Sequence, residues 1–124
     1  MRLLLAEDEK SLSKALTVIL EHSGYSVDAV YNGKEAVEYL ENGEYDGVIL
    51  DIMMPVMNGY EATKMIRSLD REDAKKIPII AMTANAFTED RIRAKEAGMN
   101  EHVAKPVDVE LLMKVIYSGS AMKH

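Results

Sequence analysis

Cysteine is absent from the 124 residues. Neither a disulfide framework nor a thiolate metal site can form, and nothing points to an oxidising compartment. Long apolar runs are missing too. None approaches the roughly 18 residues of a membrane span, and the opening MRLLLAEDEK meets acid too early for a secretory signal. The expected location is the cytoplasm. Positive charge is in deficit: the formal net charge is -6. That disfavours broad nucleic-acid binding, because neutralising phosphates needs clustered Lys and Arg. A divalent cation, or a partner with a basic surface, suits such a chain better.

What is present is a core-forming composition, 48% hydrophobic and 29% charged. This length and balance predict one globular domain over residues 1–124, without a linker. Short β-type runs alternate with helical periodicity five times. The β-type runs are Leu3–Ala6, Ser26–Val30, Gly47–Leu50, Ile77–Ala81 and, more weakly, Glu101–Ala104. Between them apolar residues recur at helical spacing: Leu12, Ala15, Leu16, Ile19 and Leu20, then Ala36, Val37 and Leu40, then Ala62, Met65, Ile66 and Leu69. The last helix carries Leu111, Leu112, Val115 and Ile116.

Boundary signals agree. Asn32 with Glu35 and Asn58 with Glu61 are capping-box pairs at the starts of the second and third helices. Thr88 and Asp108 can cap the fourth and fifth, while Gly24, Gly43 and Gly98 stand where helices should end in the left-handed conformation. The stretch DREDAKK, residues 70–76, reads as a solvated mixed-charge loop. Most of the nine methionines read as core filler, and His22 as a solvated residue near a helix C-terminus.

Alternating strands and helices imply right-handed crossovers, and hence an α/β, doubly wound three-layer sandwich around a mostly parallel sheet. Ligands in such sheets collect beyond the carboxyl ends of the strands. Those ends deliver Glu7-Asp8-Glu9, Asp51, Thr83 and Lys105-Pro106 to one edge. Singly, each has a plainer explanation as a cap, a turn residue or a solvated end. Together, the clustered carboxylates repel unless a cation lies among them. Mg²⁺, a hard cation taking oxygen ligands and phosphate oxygens, fits Glu7, Asp8 and Asp51. Lys105 can counter a phosphate charge and the Thr83 hydroxyl can bond one of its oxygens. Such a site suits phosphoryl transfer, with Asp51, at the end of a central strand, as nucleophile.

The motifs LLLAEDE, VILDIMMPVMNG, PIIAMTANA and AGMNEHVAKP resemble the receiver domain of two-component response regulators over nearly the whole chain. The resemblance implies a flavodoxin-like sheet of strand order 2-1-3-4-5 with five helices. It implies that Asp51 is the phosphorylation site, that Glu7, Asp8 and Asp51 hold Mg²⁺ with the Met53 carbonyl, and that Thr83 and Lys105 attend the phosphoryl group. It further implies a cis Lys105-Pro106 peptide and a phosphohistidine donor on a sensor histidine kinase or a histidine phosphotransfer protein. Such a domain is no free-standing enzyme, though it catalyses its own phosphorylation and dephosphorylation. The resemblance also leaves room for a phosphorylation-dependent homodimer through the fourth and fifth helices.

Thr83 and His102 occupy the family's switch positions; His102 stands where Tyr or Phe is commoner, and imidazole is smaller and able to titrate. Met53 and Asn85 occupy positions that tune dephosphorylation in the family. TANA and GMNEHVAKP are similar to receivers appended to hybrid sensor kinases, so a phosphorelay intermediate is the alternative reading. Two rival classes fit poorly. A haloacid-dehalogenase-like phosphatase wants a second Asp where Met53 stands, and the acidic AEDEKS would repel a flavin phosphate.

Overall fold

A computed structural model describes residues 1–84 and 88–119 of the chain. The strands are β1 (Arg2–Ala6), β2 (Ser26–Val30), β3 (Gly47–Asp51), β4 (Ile79–Thr83) and β5 (Glu101–Ala104). The helices are α1 (Lys10–His22), α2 (Gly33–Asn42), α3 (Gly59–Ser68), α4 (Glu72–Lys76), α5 (Thr88–Ala97) and α6 (Val109–Gly119). All four strand pairings are parallel, in the order β2-β1-β3-β4-β5. The doubly wound sandwich of order 2-1-3-4-5 is therefore what the chain forms, with one short helix beyond the five expected.

The central strands are apolar throughout because side chains alternate across a sheet covered on both faces. Leu4, Ala6, Val48, Leu50, Ile79 and Ala81 pack with Val37, Leu40, Ala62, Ile66, Ala94 and Ala97. Leu3, Leu5, Ile49, Ile80 and Met82 pack with Leu16, Leu20, Leu112 and Ile116. Helices α1 and α6 thus cover one face, and α2, α3 and α5 the other. Each fully buried Leu or Ile contributes about 1.5–3 kcal/mol. This double core fixes β1, β3 and β4 rigidly, so the residues at their ends inherit fixed positions.

The helix starts follow the capping signals. Asn58 accepts from the Glu61 amide at 2.9 Å while the Glu61 carboxylate accepts from the Asn58 amide at 3.2 Å, a complete capping box. At α2 the box is displaced by one residue: Asn32 accepts from the Glu35 amide at 2.9 Å, but Glu35 accepts from the Tyr31 amide at 3.1 Å. Asp108 caps α6 more loosely, accepting from the Leu111 amide at 3.3 Å. The expected cap at Thr88 involves a side chain outside the described part of the chain.

Three local expectations need correction. The fourth strand runs to Thr83 rather than ending at Ala81, and begins at Ile79, because Ile77 ends α4 and Pro78 offers no amide to the ladder. DREDAKK keeps its charged residues solvated, as expected, but it is not a loop. Its residues 72–76 form α4, Ala74 is buried, and the Arg71 guanidinium donates to the carbonyls of Leu40, Glu41 and Gly43, which the end of α2 leaves without helical partners. Gly24 and Gly98 do adopt positive φ, 96° and 109°, whereas Gly43 is extended with φ -143°. There the Arg71 side chain replaces the backbone cap that a left-handed glycine would have made.

Gly59 matters for a different reason, close approach. It opens α3, and its amide donates to the Ile52 carbonyl at 2.9 Å, folding the loop back onto the end of β3. A Cβ at this position would lie 2.6 Å from the Asp51 carbonyl oxygen and 2.8 Å from the Ile52 Cα, both main chain. Gly59→Ala is expected to destabilise the protein by about 1–3 kcal/mol through overpacking. Urea unfolding measures this, and an unchanged midpoint would show that the loop yields freely.

Candidate functional site

The carboxyl ends of β1, β3 and β5 bring a charged, largely buried cluster together. Glu7 and Asp51 are buried and Asp8 is exposed, and one carboxylate oxygen from each lies within 4.8 Å of the others. Lys105, just beyond β5, reaches across to them. Its Nζ stands 2.7 Å from Glu7 Oε1 and donates to Asp51 Oδ2 at 3.1 Å.

Backbone groups fix the two buried acids. Glu7 Oε2 accepts from the Glu9 amide at 3.0 Å, and Asp51 Oδ1 accepts from the Met53 amide at 3.1 Å. The Glu7 amide donates to the Val30 carbonyl at 3.1 Å, continuing the β1–β2 ladder past its last strand residue. Glu7 Oε1 meets Lys105 as an ion pair but lacks a hydrogen bond of good geometry, an unusual state for a fully buried carboxylate oxygen. Three hard oxygen donors in mutual reach, one of them buried and short of a donor, fit the ligand preference of Mg²⁺.

Burial perturbs these groups. It pushes the Glu7 carboxyl up to about 7, with the Asp51 charge adding and Lys105 and the Glu9 amide opposing. It raises Asp51 as well, against the pull of Lys105. Burial alone would lower Lys105, but its contacts with Glu7 and Asp51 outweigh that and hold it above its ordinary value. The protons of Glu7 and Asp51 are therefore linked, beside a lysine that stays charged.

Thr83 ends β4, buried, and its carbonyl accepts from the Lys105 amide at 2.7 Å. That bond couples the threonine to the lysine through main chain. The Lys105-Pro106 peptide is cis. His102 is half-buried on β5, level with Ala81, and lines a narrow space with Ile52, Thr83, Asp90, Arg91 and Ala94. The side of that space on α5 is held to the sheet by small residues, Ala94 and Ala97, and to α3 by Arg93, whose guanidinium carbon lies 4.4 Å from the centre of the Tyr60 ring. The Met53 side chain is exposed, so its contribution here is main chain. Asn85 lies outside the described residues.

Sequence reasoning foresaw Lys105 as a phosphate contact but not its pairing with Glu7. It also gave no role to Gly59 or to Arg67. Arg67 donates to the Gly98 carbonyl at 3.0 and 2.8 Å, to Asn100 Oδ1 at 2.8 Å and to the Ala74 carbonyl at 3.0 Å, tying α3 to α4 and to the turn after α5. A lone arginine on an amphipathic helix carries no sequence signal for such a task. The glycine directly after an Asn cap was the available clue for Gly59.

The response regulator receiver domain model matches residues 3–117. The chain belongs to the receiver domain family. Transcriptional regulatory protein DltR of Streptococcus agalactiae is 38% identical over 113 residues, covering 91% of this chain and 49% of DltR. The chain thus spans about half of that relative's length. The receiver domain of the sensor histidine kinase PA1611 from Pseudomonas aeruginosa, solved with magnesium coordinated in its active site cleft, is 36% identical with a TM-score of 0.86, over 95% of each chain. The receiver domain of Ssk1 from Saccharomyces cerevisiae, solved with the histidine phosphotransfer protein Ypd1, is 28% identical with a TM-score of 0.90, over 99% of this chain and 90% of that one. Receiver domains are two-component signalling modules rather than classical enzymes. No helix among the described residues is long and apolar enough to cross a membrane.

The raised Glu7 has a consequence for this receiver domain in the absence of metal. An acid near 4.5 when unfolded and near 7 when folded gives stability that is fully present below pH 4.5 and is lost as pH rises through 7. Unfolding free energy in chelator is expected to fall by up to about 3 kcal/mol across that window. Urea titrations at stepped pH read the slope, and Glu7→Gln is expected to flatten it. A wild-type curve that rises with pH would contradict the assignment.

Proposed function

We propose that this receiver domain accepts a phosphoryl group on Asp51 and signals through the change that follows. The observation that carries the reading is the convergence at one sheet edge of Asp51, two further carboxylates and a lysine that touches Asp51 and Glu7. Glu7, Asp8 and Asp51, with the Met53 carbonyl, would hold Mg²⁺. When bound, that ion supplies charge neutralisation between the acids and the incoming phosphoryl oxygens.

The chain's own residues do the rest. A carboxylate oxygen of Asp51 attacks phosphorus, the P–N bond to the donor imidazole breaks, and the imidazole leaves with its electron pair and takes a proton. The product is an acyl phosphate on Asp51. Lys105, already beside Asp51 Oδ2, follows the charge onto the phosphoryl oxygens, and the Thr83 hydroxyl turns toward one of them. Water later attacks the phosphorus and frees the carboxylate, with Met53 and Asn85 setting how readily it arrives.

The donor would be a sensor histidine kinase or a histidine phosphotransfer protein, and the self-catalysed transfer needs no separate enzyme. Movement of Thr83 opens or fills the space it shares with His102, so His102 takes the switch role with a smaller ring than usual. A homodimer of the phosphorylated form is a compatible output. The likeness to the PA1611 receiver supports the narrower alternative of a phosphorelay intermediate in a hybrid kinase.

Incubation with acetyl phosphate and Mg²⁺ is expected to add one phosphoryl mass, and Asp51→Asn to abolish it. Full-yield labelling of Asp51→Asn would show the nucleophile to be misassigned.

A further inference from the structure

Five asparagines stand in the chain, and three of them precede glycine: Asn32-Gly33, Asn42-Gly43 and Asn58-Gly59. Such a pair can react with itself, because the glycine amide nitrogen can close onto the asparagine side-chain carbonyl carbon with no Cβ in the way. Closure needs a side chain free to turn toward the next amide and an amide nitrogen free of other bonds. The fold treats the three pairs differently.

Asn32 and Asn58 are helix caps. Asn32 Oδ1 accepts from the Glu35 amide and Asn58 Oδ1 from the Glu61 amide, each at 2.9 Å, which commits both side chains to the third amide ahead rather than the next. Their glycine amides are committed too. Gly33 donates to the Met57 carbonyl at 3.0 Å and Gly59 to the Ile52 carbonyl at 2.9 Å, and both glycines are buried. Asn100, followed by Glu101, is held by Arg67 and by the Ile79 amide.

Asn42, the last residue of α2, has neither restraint. Its side chain is exposed, and its Nδ2 donates to the Glu38 carbonyl at 2.8 Å, a bond that water can replace. Gly43 is extended, and among the described residues its amide donates to no carbonyl and to no side chain. Arg71 holds the Gly43 carbonyl and leaves the nitrogen alone.

We propose that Asn42 is a site of spontaneous deamidation in the folded protein, with the Gly43 amide nitrogen as nucleophile. That nitrogen loses its proton to solvent base and attacks Asn42 Cγ; the Cγ–Nδ2 bond breaks, and the leaving nitrogen takes a proton and departs as ammonia. Water then opens the cyclic imide. Addition at Cγ gives aspartate, and addition at the main-chain carbonyl gives isoaspartate, with the chain rerouted through the side chain. Either product puts a carboxylate at the C-terminal end of α2, where the helix carbonyls already carry negative partial charge, in a groove shared with Asp28 and Glu38. The donor to the Glu38 carbonyl is lost with it. Because α2 runs back from the strands' carboxyl ends, the new charge lies at the edge of the sheet opposite Asp51.

The test ages folded and guanidinium-unfolded protein in parallel in mildly alkaline buffer, with peptide mass spectrometry following the exchange of amide nitrogen for oxygen at each asparagine. In the folded protein Asn42 is expected to convert about tenfold or more faster than Asn32 or Asn58, the scale of the cap and backbone bond those pairs must first release. In the unfolded chain the three pairs are expected to convert at similar rates. Asn42→Gln, whose longer side chain disfavours the ring, is expected to remove most of the ammonia released by the folded protein. Equal conversion of the three pairs in the folded protein overturns the proposal. So does a preference for Asn42 that persists unchanged on unfolding, because the sequence rather than the fold would then select it.

Discussion

One ammonium between two buried carboxylates is the interaction on which the site depends. Lys105 lies 2.7 Å from Glu7 and 3.1 Å from Asp51, with Asp8 close enough to add its charge. One positive charge against three negative ones leaves the cluster short of cations. Buried carboxylates without adequate compensation hold their protons, which is the state expressed by Glu7 near 7. The same deficit suits the site to a divalent cation. The strands that deliver so crowded a set of charges must be stiff enough to hold it.

That stiffness comes from burial on both faces. Leu50 faces one core cluster and Ile49 the other, so β3 cannot rotate or slide without exposing one of them. Asp51 is the next residue along. The loop that follows is held by contacts that leave little freedom: the Gly59 amide on Ile52, the Met53 amide on Asp51, and the Gly33 amide on Met57. Val56, in the same loop, is the one non-glycine at positive φ among the described residues.

Much of this was legible in the chain itself. Five apolar runs separated by helical spacing were enough for the parallel sheet, and polar residues at the ends of four of them located Glu7, Asp8, Asp51, Thr83 and Lys105 at one edge. What stayed hidden were relations between distant side chains. The Lys105–Glu7 pair joins residues at opposite ends of the chain, and Arg71, directly before α4, reaches back to close α2. The bounds of β4 shifted because Pro78 and the end of α4 override the apolar pattern at Ile77. The positive φ of Val56 had no signal at all, since the residue type argues against it.

Three acids crowd around too little positive charge, an arrangement that suits a divalent cation. A thermal melt with and without millimolar Mg²⁺ tests it most directly, on wild type and on Glu7→Gln combined with Asp8→Asn. Mg²⁺ is expected to raise the melting temperature of wild type and to leave the double variant unchanged. A wild-type melting temperature indifferent to Mg²⁺ would contradict the account.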